Sequence, residues 1–215
     1  MAYPISKWIV PPIYKLWLRK IEGWENVPKD KSFIIAVNHT SYYDALLIPC
    51  IIISRQNRQF RALVNSFYWK NIITKFFLNL WGGIPVYVDK EVNAKKNNQE
   101  YMKKVLQSLD KGEIVIIFPE GRRSKDGKLQ KAYTGVAKIA LKAKVPVLPV
   151  AIIDANKVLP VGKVLPRFKR CEVKFGKPIY FNKYYNIKSS EKIFVKITRS
   201  IMKEIAKLIG QKYNY

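Results

Sequence analysis

The sequence predicts an α/β fold, a single domain with a largely parallel central sheet flanked by helices. Short apolar runs rich in Ile and Val, among them "SFIIAVN", "EIVIIF" and "VPVLPVAI", read as buried strands. They alternate with longer amphipathic stretches, the pattern of strands joined by helical crossovers and covered on both faces. The length of 215 residues with 48% apolar side chains suits one domain with a sizeable core.

Taken in chain order, residues 3–20 combine Tyr3, Ile5, Trp8, Ile9, Ile13, Tyr14, Leu16, Trp17 and Leu18 with Lys7, Lys15, Arg19 and Lys20, interrupted by Pro11 and Pro12. Aromatic and aliphatic bulk beside lysine is the composition of helices lying in a membrane interface, and equally of an N-terminal helix packed on the domain. Residues 1–25 are therefore expected as N-terminal amphipathic, membrane-associating helices, and residues 26–215 as the α/β domain. "SFIIAVN" (32–38) is a strand, and Thr40 or Ser41 caps a helix from about Tyr42 to Ile53. "FRALV" (60–64) is a second strand. The stretch 66–81, apolar and aromatic with interspersed lysines, is expected as helix, and "GIPVYV" (83–88) as a third strand. A polar amphipathic helix over 92–110 ends before Gly112, and "EIVIIF" (113–118) runs straight into "PEGRRS". Helix 133–144, strands 145–152 and 171–176, and a basic helix over 189–212 capped by Ser189–Ser190 complete the order.

The formal charge is +25 with pI near 10.0, which implies an anionic partner surface, with nucleic acid and phospholipid headgroups the main candidates. The cations are 31 Lys and 9 Arg. Lysine is a point charge, whereas arginine is the fork that reads guanine edges and grips phosphate, so this excess points to diffuse attraction more than to sequence reading. A compositional bias toward Lys, Asn and Ile is the plainer account of part of it. Cys50 and Cys171 make no metal spacing and no disulfide framework, which suits a reducing compartment. No signal peptide is expected, because the first twenty residues lack a continuous apolar core and a small-residue cleavage site. No apolar run reaches the roughly 18–20 residues of a spanning helix; the nearest, 72–88, is broken by Lys75, Asn79, two glycines and Pro85.

Two stretches carry candidate chemistry. In "VNHTSYYDALL" (37–47) the single histidine, His39, follows a strand, and Asp44 falls in the first turn of the next helix. If the chain turns between them, the carboxylate holds one ring nitrogen and leaves the other free to take a proton. That is the base and its orienting acid without an evident nucleophile; Ser41 reads as a cap. Equally, Asp44 alone suits a helix start through the dipole. In "IIFPEGRRS" a buried strand ends in Pro119, Glu120, Gly121, Arg122, Arg123 and Ser124. Gly121 permits a positive φ. Two arginines and a hydroxyl can hold a phosphate by charge-assisted hydrogen bonds, and a charged surface turn would look the same. In open α/β sheets the site lies beyond the carboxyl ends of the strands, so both stretches are expected on one rim although 81 residues separate His39 from Glu120.

Together, "NHTSYYDALLIP", "GGIPVYVDK", "FPEGRRS" and "VPVLPVAI" occur in the order seen in the glycerolipid acyltransferases. The sequence resembles the bacterial 1-acyl-sn-glycerol-3-phosphate acyltransferases of the PlsC type over about Phe33 to Ile153. The family's Asn-His-x4-Asp motif is matched at Asn38, His39 and Asp44. Its Phe-Pro-Glu-Gly-Thr-Arg-Ser motif is matched at Phe118, Pro119, Glu120, Gly121, Arg123 and Ser124, with Arg122 in place of threonine. Its Val-Pro-x-x-Pro strand is matched at Val145, Pro146 and Pro149, and Gly135 matches a helix-start glycine. The second motif departs: where the family has an arginine, this chain offers Lys90, and Asn65 stands where many relatives have lysine.

The resemblance implies acyl transfer from a thioester to the sn-2 hydroxyl of 1-acyl-glycerol-3-phosphate, giving phosphatidic acid. His39 would be the base and Asp44 its positioning acid, with Glu120, Gly121, Arg122, Arg123, Ser124 and Lys90 binding the acceptor. It implies no cofactor and no metal beyond an acyl-CoA or acyl-carrier-protein thioester as co-substrate. The expected partners are a lysophospholipid, the membrane surface and an acyl carrier protein, at the cytoplasmic face of a cell inner membrane, without nucleic acid. Two alternatives stay open. One is another lyso-lipid acceptor, such as a lyso-ornithine lipid or lysophosphatidylethanolamine. The other is a basic nucleic-acid-binding module, against which stand the lack of zinc spacing, of RNP-like or helix-turn-helix signatures, and the few arginines.

Overall fold

A computed structural model describes residues 14–56, 58–87 and 94–215. Among the described residues, seven strands form one sheet: β1 (Leu18–Glu22), β2 (Phe33–Val37), β3 (Phe60–Asn65), β4 (Gly83–Val86), β5 (Ile114–Ile117), β6 (Val147–Ile153) and β7 (Cys171–Phe175). Their spatial order is β1-β7-β6-β2-β5-β3-β4. Every pairing is parallel except β6 with β7, so β1 and β7 run against the other five strands. The helices are α1 (Asp44–Gln56), α2 (Ile72–Leu80), α3 (Ala94–Asp110), α4 (Gly135–Ala143), the single turn α5 (Ala155–Val158) and α6 (Glu191–Ile209).

Alternation along β2 explains the two-faced core. Phe33, Ile35 and Val37 join Leu47, Ile48, Ile51 and Ile52 of α1 in one apolar cluster. Ile34 and Ala36 point the other way, into a cluster with Val105 and Leu109 of α3, Val136 and Ile139 of α4, and Ile201 and Met202 of α6. A strand buried on both faces has no polar side to show, which is why these runs are continuously apolar. β2 is central, with β5 on one side and β6 on the other, so the segments after β2 and β5 emerge side by side. Asn38 extends the β2–β6 pairing by one step with its side chain: its amide donates to the Ile152 carbonyl (2.9 Å) and its carbonyl accepts from the Ile152 N–H (2.8 Å).

Helix ends follow local chemistry. Ser190 caps α6 by accepting from the Ile193 N–H, and Gly210 ends it in the left-handed conformation (φ 79°) that favours glycine. The expected continuous helix over 66–81 is instead a 3-10 turn (Ser66–Trp69) followed by α2. Asn65 accepts from the Phe67 N–H, and Asn71 accepts from those of Ile73 and Thr74. Each asparagine starts a new segment by taking the backbone donors that a continuing helix would use.

A second difference lies near the N-terminus. Residues 18–22 were expected as part of an amphipathic helix and form the edge strand β1, paired with β7. Arg19 meets Glu172 at 2.7 Å, and Glu22 meets Lys20 and Lys174, so the charged residues of "LRKIE" pair along the edge. The deciding hydrogen bonds come from residues about 150 positions away, out of reach of a local pattern. Residues 1–13 of that expected helical segment lie outside the described residues, as does Lys90.

Candidate active site

The catalytic candidates gather at the carboxyl rim of β2 and β5. The chain leaves β2 through Asn38 and wraps residues 39–43 around the carboxylate of Asp44, the first residue of α1. Asp44 Oδ2 accepts the Thr40 N–H (2.6 Å) and the Ser41 N–H (2.7 Å), and lies 3.0 Å from His39 Nδ1. The five-residue spacing has a geometric meaning: it is the length of loop that closes on the carboxylate from three directions. Asp44 is wholly buried, and the positive end of α1 favours its negative charge.

A carboxylate that accepts two amides and faces Nδ1 fixes the ring tautomer with the proton on Nδ1. The lone pair of Nε2 is then available, and Nε2 has no hydrogen-bond partner among the described residues. The ring stacks on Phe118, with centroids 4.0 Å apart and planes at 25°, which holds its plane. Ser41 is used up in the turn: its Oγ donates to the Leu159 carbonyl (2.7 Å) and accepts the Tyr43 N–H (3.0 Å), as suits a cap rather than a nucleophile.

Beside this turn sits the corner 118–124. Glu120 is almost fully buried, and its two oxygens are both engaged: Oε1 accepts the His39 N–H (3.0 Å) and Oε2 the Gln130 N–H (2.8 Å). Burial pushes its carboxyl up to about 7, opposed by those two amides and raised further by the charge of Asp44. The geometry makes Glu120 a brace that ties the histidine backbone to the 130 loop. Ser124 is likewise buried. Its N–H donates to the His39 carbonyl (2.7 Å) and its Oγ to Asp126 (2.9 Å). Thus both peptide groups flanking the His39 Cα are gripped by the 118–124 corner. Gly121 turns the chain with φ 67°, and an added Cβ would strike the Tyr133 ring at 2.9 Å, so a side chain there meets both strain and a clash.

The two arginines differ. Arg122 is exposed. Arg123 is half-buried, its guanidinium lying 3.6 Å over the Tyr42 ring while Nη1 donates to the Tyr68 hydroxyl (3.2 Å). Its buried Nε has no partner among the described residues. Tyr42 and Tyr68 are site residues that the sequence reading missed. Tyr42 sits inside the His39–Asp44 loop, a place that could have flagged it, whereas Tyr68 gives no local signal. Among the described residues no group of three His, Cys, Asp or Glu side chains could hold a metal ion.

A family profile described as Acyltransferase matches residues 19–153, well over half the chain. The chain belongs to the Acyltransferase family. The match spans the turn at His39 and the corner at Glu120 and ends with β6. Among similar proteins is the 1-acyl-sn-glycerol-3-phosphate acyltransferase of Bacillus subtilis, 27% identical over 175 residues that cover 81% of this chain and 80% of that protein. The chloroplastic 1-acyl-sn-glycerol-3-phosphate acyltransferase BAT2 of Brassica napus is 29% identical over 178 residues, 82% of this chain and 49% of its own length. The chain thus spans about half the length of that plant relative. The crystal structure of the 1-acyl-sn-glycerophosphate (LPA) acyltransferase PlsC from Thermotoga maritima superposes with a TM-score of 0.65 at 24% identity, covering 98% of this chain and 83% of that one. It shows the same α/β fold.

Proposed function

We propose that this acyltransferase moves a fatty acyl group from an acyl thioester to the sn-2 hydroxyl of 1-acyl-glycerol-3-phosphate, forming phosphatidic acid. The observation that carries the reading is the His39–Asp44 pair, with Nε2 unengaged at the rim beside two arginines. In this mechanism Nε2 takes the hydroxyl proton as the oxygen attacks the thioester carbonyl. Asp44 holds the ring and stabilises the imidazolium, and collapse of the tetrahedral intermediate expels the thiolate, which recovers the proton. No acyl-enzyme forms. A base so placed contributes about 10²–10⁴-fold. Arg123 and Arg122 hold the acceptor's phosphate, Lys90 adds charge, and Gly121 lets the backbone approach. Glu120 and Ser124 act on the acceptor through the backbone they position. The names of the relatives from Bacillus subtilis and Brassica napus support this acceptor.

No described helix is long and apolar enough to cross a membrane. The reading places the protein on the cytoplasmic face of an inner membrane as a peripheral enzyme, taking its donor from acyl-CoA or acyl carrier protein and needing no cofactor. The test is an acceptor panel offered with both donors and scored by product mass. Phosphatidic acid as the dominant product is expected; acylation of lysophosphatidylethanolamine or of a lyso-ornithine lipid in preference would replace the acceptor, and no acylation at all would end the proposal.

A further inference from the structure

The segment between α5 and β7 is unexplained by the acyl-transfer chemistry. It reads "PVGKVLPRFKR" (160–170), with four cations and no acid. Val164, Leu165 and Phe168 in it are 90%, 80% and fully exposed. Large apolar side chains in such a row on a free surface mark an interaction site. The loop is nonetheless anchored. The Arg167 N–H donates to the Val158 carbonyl (2.7 Å), Trp17 Nε1 donates to the Arg167 carbonyl (3.1 Å), and the Cys171 N–H donates to the Trp17 carbonyl (2.8 Å). The apolar residues are therefore held out at the end of a braced base.

Its position matters. The residue just before the loop, Leu159, accepts the Ser41 hydroxyl of the His39–Asp44 turn. On the other side of that turn, Arg123 reaches Tyr68, which directly precedes a second exposed apolar face: Ile72, Ile73, Phe76, Phe77 and Leu80 of α2, with Lys70 and Lys75 and no acid. Two exposed apolar, cationic elements thus flank one catalytic turn on one rim.

We infer that the loop 160–170 inserts into an anionic phospholipid bilayer and, with α2, sets the rim carrying His39 against the membrane surface. Charge complementarity selects this occupant: apolar tips ringed by lysine and arginine suit an acyl boundary beneath anionic headgroups. The inference rests on the acyltransferase reading only in that a bilayer-borne acceptor gives the placement a purpose.

The test uses the whole chain and vesicles of phosphatidylcholine with or without phosphatidylglycerol, read by co-sedimentation with no substrate present. Wild-type protein is expected to bind the anionic vesicles in a salt-sensitive way. The variant Val164→Ser/Leu165→Ser/Phe168→Ser is expected to lose about tenfold or more of that partitioning. Its turnover on a water-soluble short-chain acceptor should be unchanged. A fluorophore on Phe168→Cys should shift to the blue on anionic vesicles; native Cys50 and Cys171 are buried. Triple-variant binding equal to wild type, or an unshifted fluorophore, overturns the inference. So does a wild-type dimer that the triple substitution splits without any effect on vesicles, or an effect seen only on binding an acidic acyl carrier protein. Because binding is read without turnover, failure here leaves the acyl-transfer reading standing, and failure of acylation leaves this one standing.

Discussion

The His39–Asp44 turn and the arginine corner adjoin on one rim, yet they are held in different ways. In the turn, the contacts that fix it engage main-chain groups on at least one side. Asp44 Oδ2 is fixed by two amides, Ser41 by Leu159, and both peptide groups flanking the His39 Cα by Glu120 and Ser124. At Arg123 the holders are two aromatic side chains, Tyr42 and Tyr68, one of them on a 3-10 turn, and one guanidinium nitrogen is left without a partner among the described residues. Backbone amides are set by the fold, whereas side-chain holders can change one at a time. In the proposed mechanism this makes the base the preorganised part of the site, and the arginine corner the part where a change of acceptor would least disturb proton transfer.

The sharpest way to break this contrast is at the base. His39→Ala should lower kcat by about 10²–10⁴-fold with little change in KM, and its near-native thermal unfolding should show that the fold persists. Asp44→Asn should approach that loss by disturbing the tautomer. Turnover near wild type in His39→Ala would remove the base assignment. The next largest effect falls on recognition. Arg123→Ala should raise KM for the phosphorylated acceptor roughly ten- to a hundredfold, with the KM for the thioester nearly unchanged. Tyr42→Leu should move the same constant in the same direction by less. Equal effects on both substrates would show that the arginine does not read the phosphate.

The smallest effect is on stability and concerns Glu120. Its carboxyl titrates near 7 in the folded protein against an ordinary 4.5, so between those values the folded state binds the extra proton. Stability therefore falls as pH rises through that window and levels off above about 7. Glu120→Gln cannot titrate and should flatten this fall, while costing about 1–3 kcal/mol because one backbone amide loses its acceptor. Urea midpoints from about pH 5 to about pH 8 read both quantities; an unchanged slope would mean the carboxyl is already ionised at the lower end.

Much of this was legible in the residues because the signals are local. Continuous apolar runs identified the buried strands, and an open α/β sheet implies that segments leaving neighbouring strands meet. That implication brought His39 and Glu120 to one rim before any coordinate did. What side chains do on arrival was less legible. Glu120 and Ser124 read as acceptor ligands by residue type; in the structure the Glu120 oxygens accept the N–H groups of His39 and Gln130, and the Ser124 hydroxyl donates to Asp126, contacts that residue type alone does not announce. The exposed loop at 164–168 carried no periodic signal at all.

By itself the chain order determined the α/β architecture, the strand-end placement of both motifs and the pairing of an imidazole with an acid five residues on, since these follow from hydrophobic period and turn length. Only the tertiary structure decided that "LRKIE" is an edge strand, that Arg123 is clasped by Tyr42 and Tyr68, and that two apolar faces flank the catalytic turn. Each of those depends on contacts between residues far apart in sequence, whose hydrogen bonds and packing no short window of sequence contains.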